Sequence, residues 1–358
     1  MSARNSAIAV LLVAVSCTGC VQPQAAKQPT DSVGASEPPF SGEVLLSARD
    51  GNDLELYAAN MATGELRQLT DNDYDDSHAT WSPDGDSILY VTSVDKASDL
   101  AVLPYDGGAP VLLTRNSFAE LWPQYLPSGD AVIYASNQQK ADSPYQLINM
   151  DLASGEMTPL SNAENGVDGF LLAPDGSAVA YVTPESRNRT LLEIQSLETG
   201  EMLGSTRDRE DLTITGFGWS PDSTRIAFSA RVKRSDTHLF VWNLQSGLVE
   251  QLTEGPGVHA KPVWRQDGQA IFFLGAIDRQ QRELHEVSLA TKKVRRVTDT
   301  SMHEADVSTR NDLVALTRFD DGNFSVYVVD PVSGGTRRVA PDLDGIQLQP
   351  QLRPRRKE

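Results

Sequence analysis

Cysteine is almost absent from this 358-residue chain. The two cysteines, Cys17 and Cys20, lie near the amino terminus, and none follows them. The sequence beyond Cys20 therefore excludes an intramolecular disulfide, a cysteine nucleophile and cysteine-ligated zinc. A folded domain there must draw its stability from buried apolar side chains.

Positive charge is also scarce, with 31 Lys and Arg against 49 Asp and Glu and a formal net charge of −18. Nucleic acid is bound through stripes of Lys and Arg. No such stripe runs through the chain, so we expect no nucleic-acid partner and no contact between the folded domain and anionic lipid. A short basic cluster at the end predicts a solvated tail over residues 355–358, which can steer an acidic partner. The cluster is Arg353, Arg355, Arg356 and Lys357.

Sequence motifs of common enzyme classes are missing. The chain has no Gly-x-Ser-x-Gly elbow, no phosphate-binding loop and no His-Glu-x-x-His motif. We therefore expect no α/β-hydrolase domain, no catalytic residue and no cofactor, which predicts a protein that is not an enzyme.

Long hydrophobic runs are lacking as well, because the run Ala7–Val15 is too short to span a bilayer. With Arg4 before it and small residues after it, it has the pattern of a signal peptide over residues 1–20. The segment resembles a bacterial lipoprotein signal, which implies a lipid on Cys17 or Cys20. The alternative is a plain secretory signal.

The localisation that follows is the periplasm, with the lipid as the only membrane contact. Neither Thr18 nor Val21 is the aspartate that favours inner-membrane retention, so we expect the outer membrane. Residues 21–42 are rich in Pro, Gln, Ala and Ser and poor in apolar side chains. Such a composition predicts a flexible tether.

One short motif is present seven times, with decay. The copies are Trp81-Ser82-Pro83-Asp84-Gly85, Tyr125-Leu126-Pro127-Ser128-Gly129, Leu172-Ala173-Pro174-Asp175-Gly176, Trp219-Ser220-Pro221-Asp222-Ser223, Trp264-Arg265-Gln266-Asp267-Gly268, Val307-Ser308-Thr309-Arg310-Asn311 and Leu352-Arg353-Pro354. Their third positions are 83, 127, 174, 221, 266, 309 and 354, so the steps are 44, 47, 47, 45, 43 and 45. A period of this length and regularity is typical of propeller blades.

Each repeat predicts four antiparallel strands. The Pro-Asp-Gly core is a tight turn, and a β-branched or aromatic triplet such as Ile88-Leu89-Tyr90 follows it. A further strand such as Leu100-Ala101-Val102 and a short last strand such as Leu113-Thr114 complete the unit. No helical periodicity intervenes.

The two ends of the array complement each other. The first unit begins near Val44-Leu45-Leu46 without a convincing first strand, and the carboxyl terminus supplies a lone strand, Ile346–Leu352. We therefore predict an all-β, seven-bladed propeller over residues 43–354, closed by the carboxyl-terminal strand beside Val44–Ser47. Closure removes two free sheet edges. The alternative is an open solenoid.

The repeat resembles that of TolB-type propellers, through the string Leu69-Thr70, then Trp81-Ser82-Pro83-Asp84-Gly85, then Ile88-Leu89-Tyr90. Related repeats occur in the tricorn protease and in prolyl oligopeptidase-like enzymes. The resemblance covers roughly residues 43–354. It implies the fold but not one function, because such proteins include scaffolds, peptidase gates and polysaccharide-acting proteins.

Two groups of residues are candidate ligand sites. The segment Asp71–Asp76 has the acidic spacing of a calcium loop, although Asp76 and Ser82 replace its usual glycine and glutamate, so we interpret it as a solvated loop. The second group precedes each first strand, at one mouth of the predicted channel. Its ligand candidates are His78, Asp168, His259, His303 and Gln347, with Glu120, Thr215 and Glu304 at equivalent places.

Histidines that converge on a channel axis can bind a metal or an acidic ligand. A resemblance to oligogalacturonate lyase-like propellers would imply a divalent metal at this mouth of the channel. The alternative is a polar rim that holds no metal. We therefore predict a protein-binding or scaffold module whose partner is an envelope protein or is associated with peptidoglycan. Projecting side chains such as Trp122, His259, Lys261 and His303 would contact it. The alternatives are a carbohydrate-active enzyme with a metal and a structural envelope protein.

Overall fold

The structure is a computed structural model that describes residues 40–94, 97–138, 143–232, 236–276, 281–320, 322–343 and 345–354. Every regular element in these ranges is a β-strand. The described residues contain no helix with the length and apolar character needed to cross a membrane. Cys17, Cys20, most of the predicted tether and the basic tail lie outside the described residues.

The described ranges contain twenty-eight strands. The first fourteen are β1 (Glu43–Asp50), β2 (Asp53–Asn60), β3 (Leu66–Gln68), β4 (Asp75–Trp81), β5 (Ser87–Val94), β6 (Ala97–Pro104), β7 (Val111–Leu112), β8 (Glu120–Tyr125), β9 (Ala131–Ser136), β10 (Gln146–Asp151), β11 (Met157–Pro159), β12 (Gly169–Leu172), β13 (Ala178–Ser186) and β14 (Arg189–Ser196). The others are β15 (Met202–Ser205), β16 (Thr213–Trp219), β17 (Arg225–Arg231), β18 (Thr237–Asn243), β19 (Val249–Gln251), β20 (Val258–Trp264), β21 (Ala270–Ala276), β22 (Glu283–Ser288), β23 (Val294–Arg296), β24 (His303–Arg310), β25 (Leu313–Asp320), β26 (Asn323–Val329), β27 (Thr336–Arg338) and β28 (Gln347–Leu352).

The strands form a β-propeller of four-stranded antiparallel blades. Five sheets have four strands each, in the orders β28-β1-β2-β3, β4-β5-β6-β7, β11-β10-β9-β8, β12-β13-β14-β15 and β24-β25-β26-β27. The sixth sheet contains β16 to β23, and one parallel residue pair, Thr237 with Val258, joins its two halves. The fold class predicted from the sequence, all-β with four-stranded blades, is therefore confirmed.

The repeated turn motif forms as its chemistry predicts. Ser82 Oγ donates to Asp84 Oδ1 at 2.5 Å, and the same oxygen accepts the backbone N–H of Asp86 at 2.9 Å. Gly85 takes the positive φ of +76° that closes the turn, a conformation that costs glycine little. This turn connects the first strand of a blade to its second and sets the start of the buried triplet.

Buried side chains from successive blades form the core. Ile88 on β5 packs in a cluster with Leu45 and Leu56 of the preceding blade, whereas the adjacent Leu89 packs with Val132 of the following one. Successive residues of a strand point to opposite faces, so each middle strand contributes to two inter-blade cores. Apolar burial on both faces explains why these strands read as continuous hydrophobic runs.

The carboxyl-terminal strand completes the first sheet. Strand β28 pairs with β1 in antiparallel register, with Leu352 opposite Val44 and Leu348 opposite Ser47. This is the strand pairing that the sequence predicts for Ile346–Leu352 and Val44–Ser47. The last residues of the described chain are thus hydrogen-bonded to the first strand.

Candidate functional site: the inner strands

A threonine hydroxyl connects successive blades at several junctions. Thr114 Oγ1 accepts the backbone N–H of Leu100 at 2.8 Å and donates to the carboxylate of Glu120 in the next blade. Thr298 repeats the arrangement with Leu284 at 2.9 Å and Glu304 at 2.8 Å. Glu120 and Glu304 are therefore buried parts of inter-blade junctions.

The segment Asp71–Asp76 belongs to another junction. Asn72 donates from its backbone N–H to Glu55 Oε1 at 2.7 Å and from Nδ2 to Asp76 Oδ2 at 2.8 Å. Asp75 Oδ1 accepts the backbone N–H of Leu54 at 2.9 Å. Burial raises the pKa of both Glu55 and Asp76, and the hydroxyl and amide donors oppose that rise. Asn72, Asp75 and Asp76 thus bond to the protein, as in an inter-blade loop.

His259 and Gln347 also lie in junctions. His259 is 2% exposed, and its Nδ1 donates to the carbonyl oxygen of Thr237 at 2.8 Å. Its ring centre lies 5.6 Å from that of His238, and burial lowers the pKa of His259. Gln347 accepts the N–H of Val326 at 3.1 Å and donates to the carbonyl of Leu343 at 2.9 Å.

The remaining candidates lie apart from these two. Asp168 and His303 are exposed, and partial burial raises the pKa of Asp168. His303 Nδ1 accepts the backbone N–H of Arg282 at 3.4 Å. Across the described residues, no three His, Cys, Asp or Glu side chains are grouped so that they could hold a metal ion. His78 is half-buried and belongs to a different set of side chains, on the inner strands.

That set consists of five non-glycine residues in the left-handed backbone region, one on the inner strand of each of five blades. They are His78 (φ 51°), Trp122 (φ 53°), Lys261 (φ 51°), Asp306 (φ 34°) and Gln349 (φ 55°). In each case the strand pairing shifts register at that point, which marks a β-bulge. We call these five residues the bulge ring.

Such a conformation is uncommon for residues other than glycine and costs on the order of 1 kcal/mol or more each. Bulges re-aim side chains, and they recur beside functional sites. Because the inner strands of a propeller line its central channel, the bulges place these five residues on the channel wall, with the ring of Trp122 packed 6.3 Å from that of Tyr145. Backbone strain repeated at one place in five blades is the strongest structural pointer to a site.

Contacts within the bulge ring connect neighbouring blades. Lys261 Nζ lies 2.6 Å from Asp306 Oδ1, and the backbone N–H of His78 donates to Gln349 Oε1 at 2.7 Å. Burial lowers the pKa of His78, and the negative charge of Asp306 opposes this. Four of the five residues, all except Trp122, are thus close enough to act on one another.

Indole N–H groups join the inner strands of adjacent blades. Trp264 Nε1 donates to the carbonyl of Gly218 at 3.0 Å, and Trp81 Nε1 donates to that of Gln351 at 3.3 Å. The tryptophan of the turn motif therefore connects the inner strands that carry the bulge ring. The Trp81 bond also connects the second blade to the carboxyl-terminal strand.

The sequence carries a signal for the bulge ring. Trp122, Lys261 and Gln349 each precede a proline. A proline inside an inner strand signals a bulge, because it cannot donate to the ladder. Of the five residues, Asp306 and Gln349 were absent from the predicted sites.

Residues 30–198 and 171–344 match the TolB beta propeller domain family, and the chain belongs to that family. Among solved structures, it is similar to TolB from Acinetobacter baumannii, at 13% identity and a TM-score of 0.55, over 87% of this chain and 82% of that one. An oligogalacturonate lyase in complex with manganese gives 16% identity and a TM-score of 0.64, over 84% of this chain and 86% of that one. A puromycin hydrolase S511A mutant gives 14% identity and a TM-score of 0.69, over 87% of this chain and 54% of that one.

These structural similarities show the fold alone, because all are far below the identity at which function carries over. A curated relative, the uncharacterized peptidase YuxL of Bacillus subtilis strain 168, is 29% identical over 143 residues. That match covers 38% of this chain and 19% of the relative, so the chain spans only a small part of it.

Proposed function

We propose that this protein is a binding module that captures an envelope protein through the bulge ring and does not turn it over. The observation that carries the proposal is the repeated left-handed conformation of five inner-strand residues. Strain of this kind persists where the surrounding fold over-determines it, and it pre-organises a surface for a ligand. His259 and Gln347, the predicted ligand candidates that lie deepest, are instead occupied by inter-blade hydrogen bonds.

In this proposal, the binding surface is part of a closed propeller of seven blades. The eight-stranded sheet supplies two of them, since its halves share one residue pair, and the other five sheets supply one each. Hydrogen bonds between neighbouring inner strands support closure, such as Ser308 Oγ to the carbonyl of Pro350 at 2.9 Å.

The proposed location is the periplasm, with a lipid on Cys17 or Cys20 and retention at the outer membrane. The support is the sequence pattern of residues 1–20 and the Pro-rich tether after it. Replacing both cysteines by serine is expected to abolish acylation and to release the protein from the membrane fraction. Membrane retention of the double variant would contradict the anchor.

Turnover tests the binding proposal against its enzymatic alternative. The full chain, purified in detergent, is assayed on polyuronides and peptides after its metal content is measured. We expect partner binding without cleavage. Stoichiometric divalent metal together with cleavage, lost in His78→Ala, His259→Ala or His303→Ala, would contradict the binding proposal and favour the carbohydrate-active alternative. A chain that binds no discrete partner in solubilised membranes would favour the structural role.

A further inference from the structure

The bulge ring contains one ion pair, which joins neighbouring inner strands. Lys261 and Asp306 approach to 2.6 Å, yet their side chains remain 47% and 41% exposed. An ion pair this exposed contributes about 0–1 kcal/mol to stability. A ligand that carries one of the two charges can therefore replace that partner at little cost.

Both residues of this ion pair lie at strand bulges. Lys261 has a φ of 51° and Asp306 a φ of 34°, and each lies at the bulge of its strand. Lysine is not among the residue types enriched in the left-handed region. Lys261 thus keeps an unfavourable backbone conformation at the position from which its ammonium group reaches Asp306.

The negative charge of the chain and of the loop before β4 favours a cationic ligand. The chain has a net charge of −18. The strand that carries His78 begins at the exposed Asp75 and follows a loop in which Asp71 and Asp73 are exposed, with Tyr74 41% exposed beside them. A field of this sign accelerates the approach of cations and repels anions. An exposed aromatic ring also favours a cation beside it.

We propose that the bulge ring binds a lysine- or arginine-containing segment of the partner protein, with the Asp306 carboxylate as its acceptor. In the free protein the Lys261 ammonium occupies this acceptor, and the incoming cation displaces it. This inference rests on the proposed function, which places the partner at the bulge ring, and it adds the chemistry of the segment that is bound.

A second exposed ion pair provides matched controls. Lys292 Nζ lies 2.7 Å from Glu250 Oε1, with side chains 48% and 53% exposed, away from the inner strands. Substitutions at Lys292 and Glu250 change the net charge by the same amount as those at Lys261 and Asp306. They therefore separate a local effect at the bulge ring from a general electrostatic one.

The test measures binding of a fluorescent synthetic peptide, in which lysines alternate with glycine and serine, to the full chain in detergent by anisotropy. Lys261→Met is expected to tighten binding roughly threefold, because the internal competitor is removed. Asp306→Asn is expected to weaken it roughly tenfold or more. Lys292→Met and Glu250→Gln should change it less than about twofold, and added salt should weaken binding to the wild-type chain.

Each of three results from the binding comparison would overturn the inference, in addition to a failure of the peptide to bind at all. One is equal effects of Lys261→Met and Lys292→Met. Another is equal binding of the peptide after its lysines are acetylated. The third is chain self-association that is lost on deletion of residues 355–358, because the ligand would then be a second copy's tail. If the peptide fails to bind while a partner still crosslinks to the ring, the inference alone falls; if no partner contacts the ring, the proposed function falls.

Discussion

The guanidinium group of Arg353 lies over the indole of Trp81, with its central carbon 4.9 Å from the ring centre. The same group lies 4.2 Å from the ring centre of Tyr105, donates to the carbonyl of Gly85 at 2.7 Å and forms an ion pair with Glu43. Arg353 directly follows the carboxyl-terminal strand. One side chain therefore fastens the completed first blade to the second.

Replacing Arg353 by alanine is expected to reduce the free energy of unfolding by about 2–3 kcal/mol, since charged hydrogen bonds and a partly buried cation are lost together. Urea unfolding of the purified chain measures this change. Arg296→Ala is the control, because its ion pair with Asp299 is exposed and should contribute less than about 1 kcal/mol. Equal losses in the two variants would contradict the role of Arg353.

Deletion of residues 344–358 removes β28 and leaves β1 with an unpaired edge. We expect a chain that unfolds at a much lower temperature or aggregates, because Leu352 and the strand pairing are lost. Adding a synthetic peptide of residues 344–358 should restore thermal stability, which circular dichroism measures. A deleted chain that melts like the full-length protein would show that the strand does not close the fold.

Acid should destabilise the protein through His259. Burial holds the pKa of His259 below its usual 6.5, so the unfolded chain takes up the proton first as pH falls. The stability that His259 contributes is therefore present above about pH 6.5 and lost on acidification, by at most about 1.4 kcal/mol per pH unit. His259→Gln should flatten the decline between pH 7 and 5 in urea unfolding. A slope in His259→Gln as steep as that of the wild-type chain would refute the assignment.

The carboxyl group of Asp76 should affect the pH dependence of stability in the same way as its raised pKa indicates: it should destabilise the folded protein as the pH rises. Burial raises the pKa of Asp76 above its usual value, so the folded state holds the proton more tightly than the unfolded state. Its contribution is present at low pH and lost as pH rises through the folded pKa. Asp76→Asn should therefore gain stability relative to the wild type between pH 4 and 8, measured by urea unfolding. Asp71→Asn, on the exposed part of the loop, is the control and should show no such gain.

The blades follow from the sequence because their determinants are local. The turn that Ser82 and Asp84 form, and the buried strand after it, depend on a few adjacent residues. The pairing of β28 with β1 could also be predicted, because the surplus strand at one end matched the missing strand at the other. These features need no knowledge of register between distant strands.

The bulge ring is harder to predict from the sequence than the blades are. A bulge adds one residue to a strand, so it shifts the alignment of every later position. Asp76 pairs with Thr92 and Glu304 with Arg318, so Asp306 is the structural equivalent of His78. The spacing of the repeats alone instead predicts that His303 is the equivalent of His78. An offset of a few residues separates His303, exposed at the start of β24, from Asp306 at the bulge of the same strand.

Photo-crosslinking in intact cells tests the central claim most directly. A benzophenone amino acid is placed at Lys261, in the bulge ring, or at Lys292, on the outer surface, in the full lipid-bearing chain. The account predicts that one discrete protein crosslinks from position 261 and not from position 292, and that the adduct diminishes in Asp306→Asn. Crosslinks of equal yield from both positions, or from position 292 alone, would contradict the assignment of the bulge ring as the binding site.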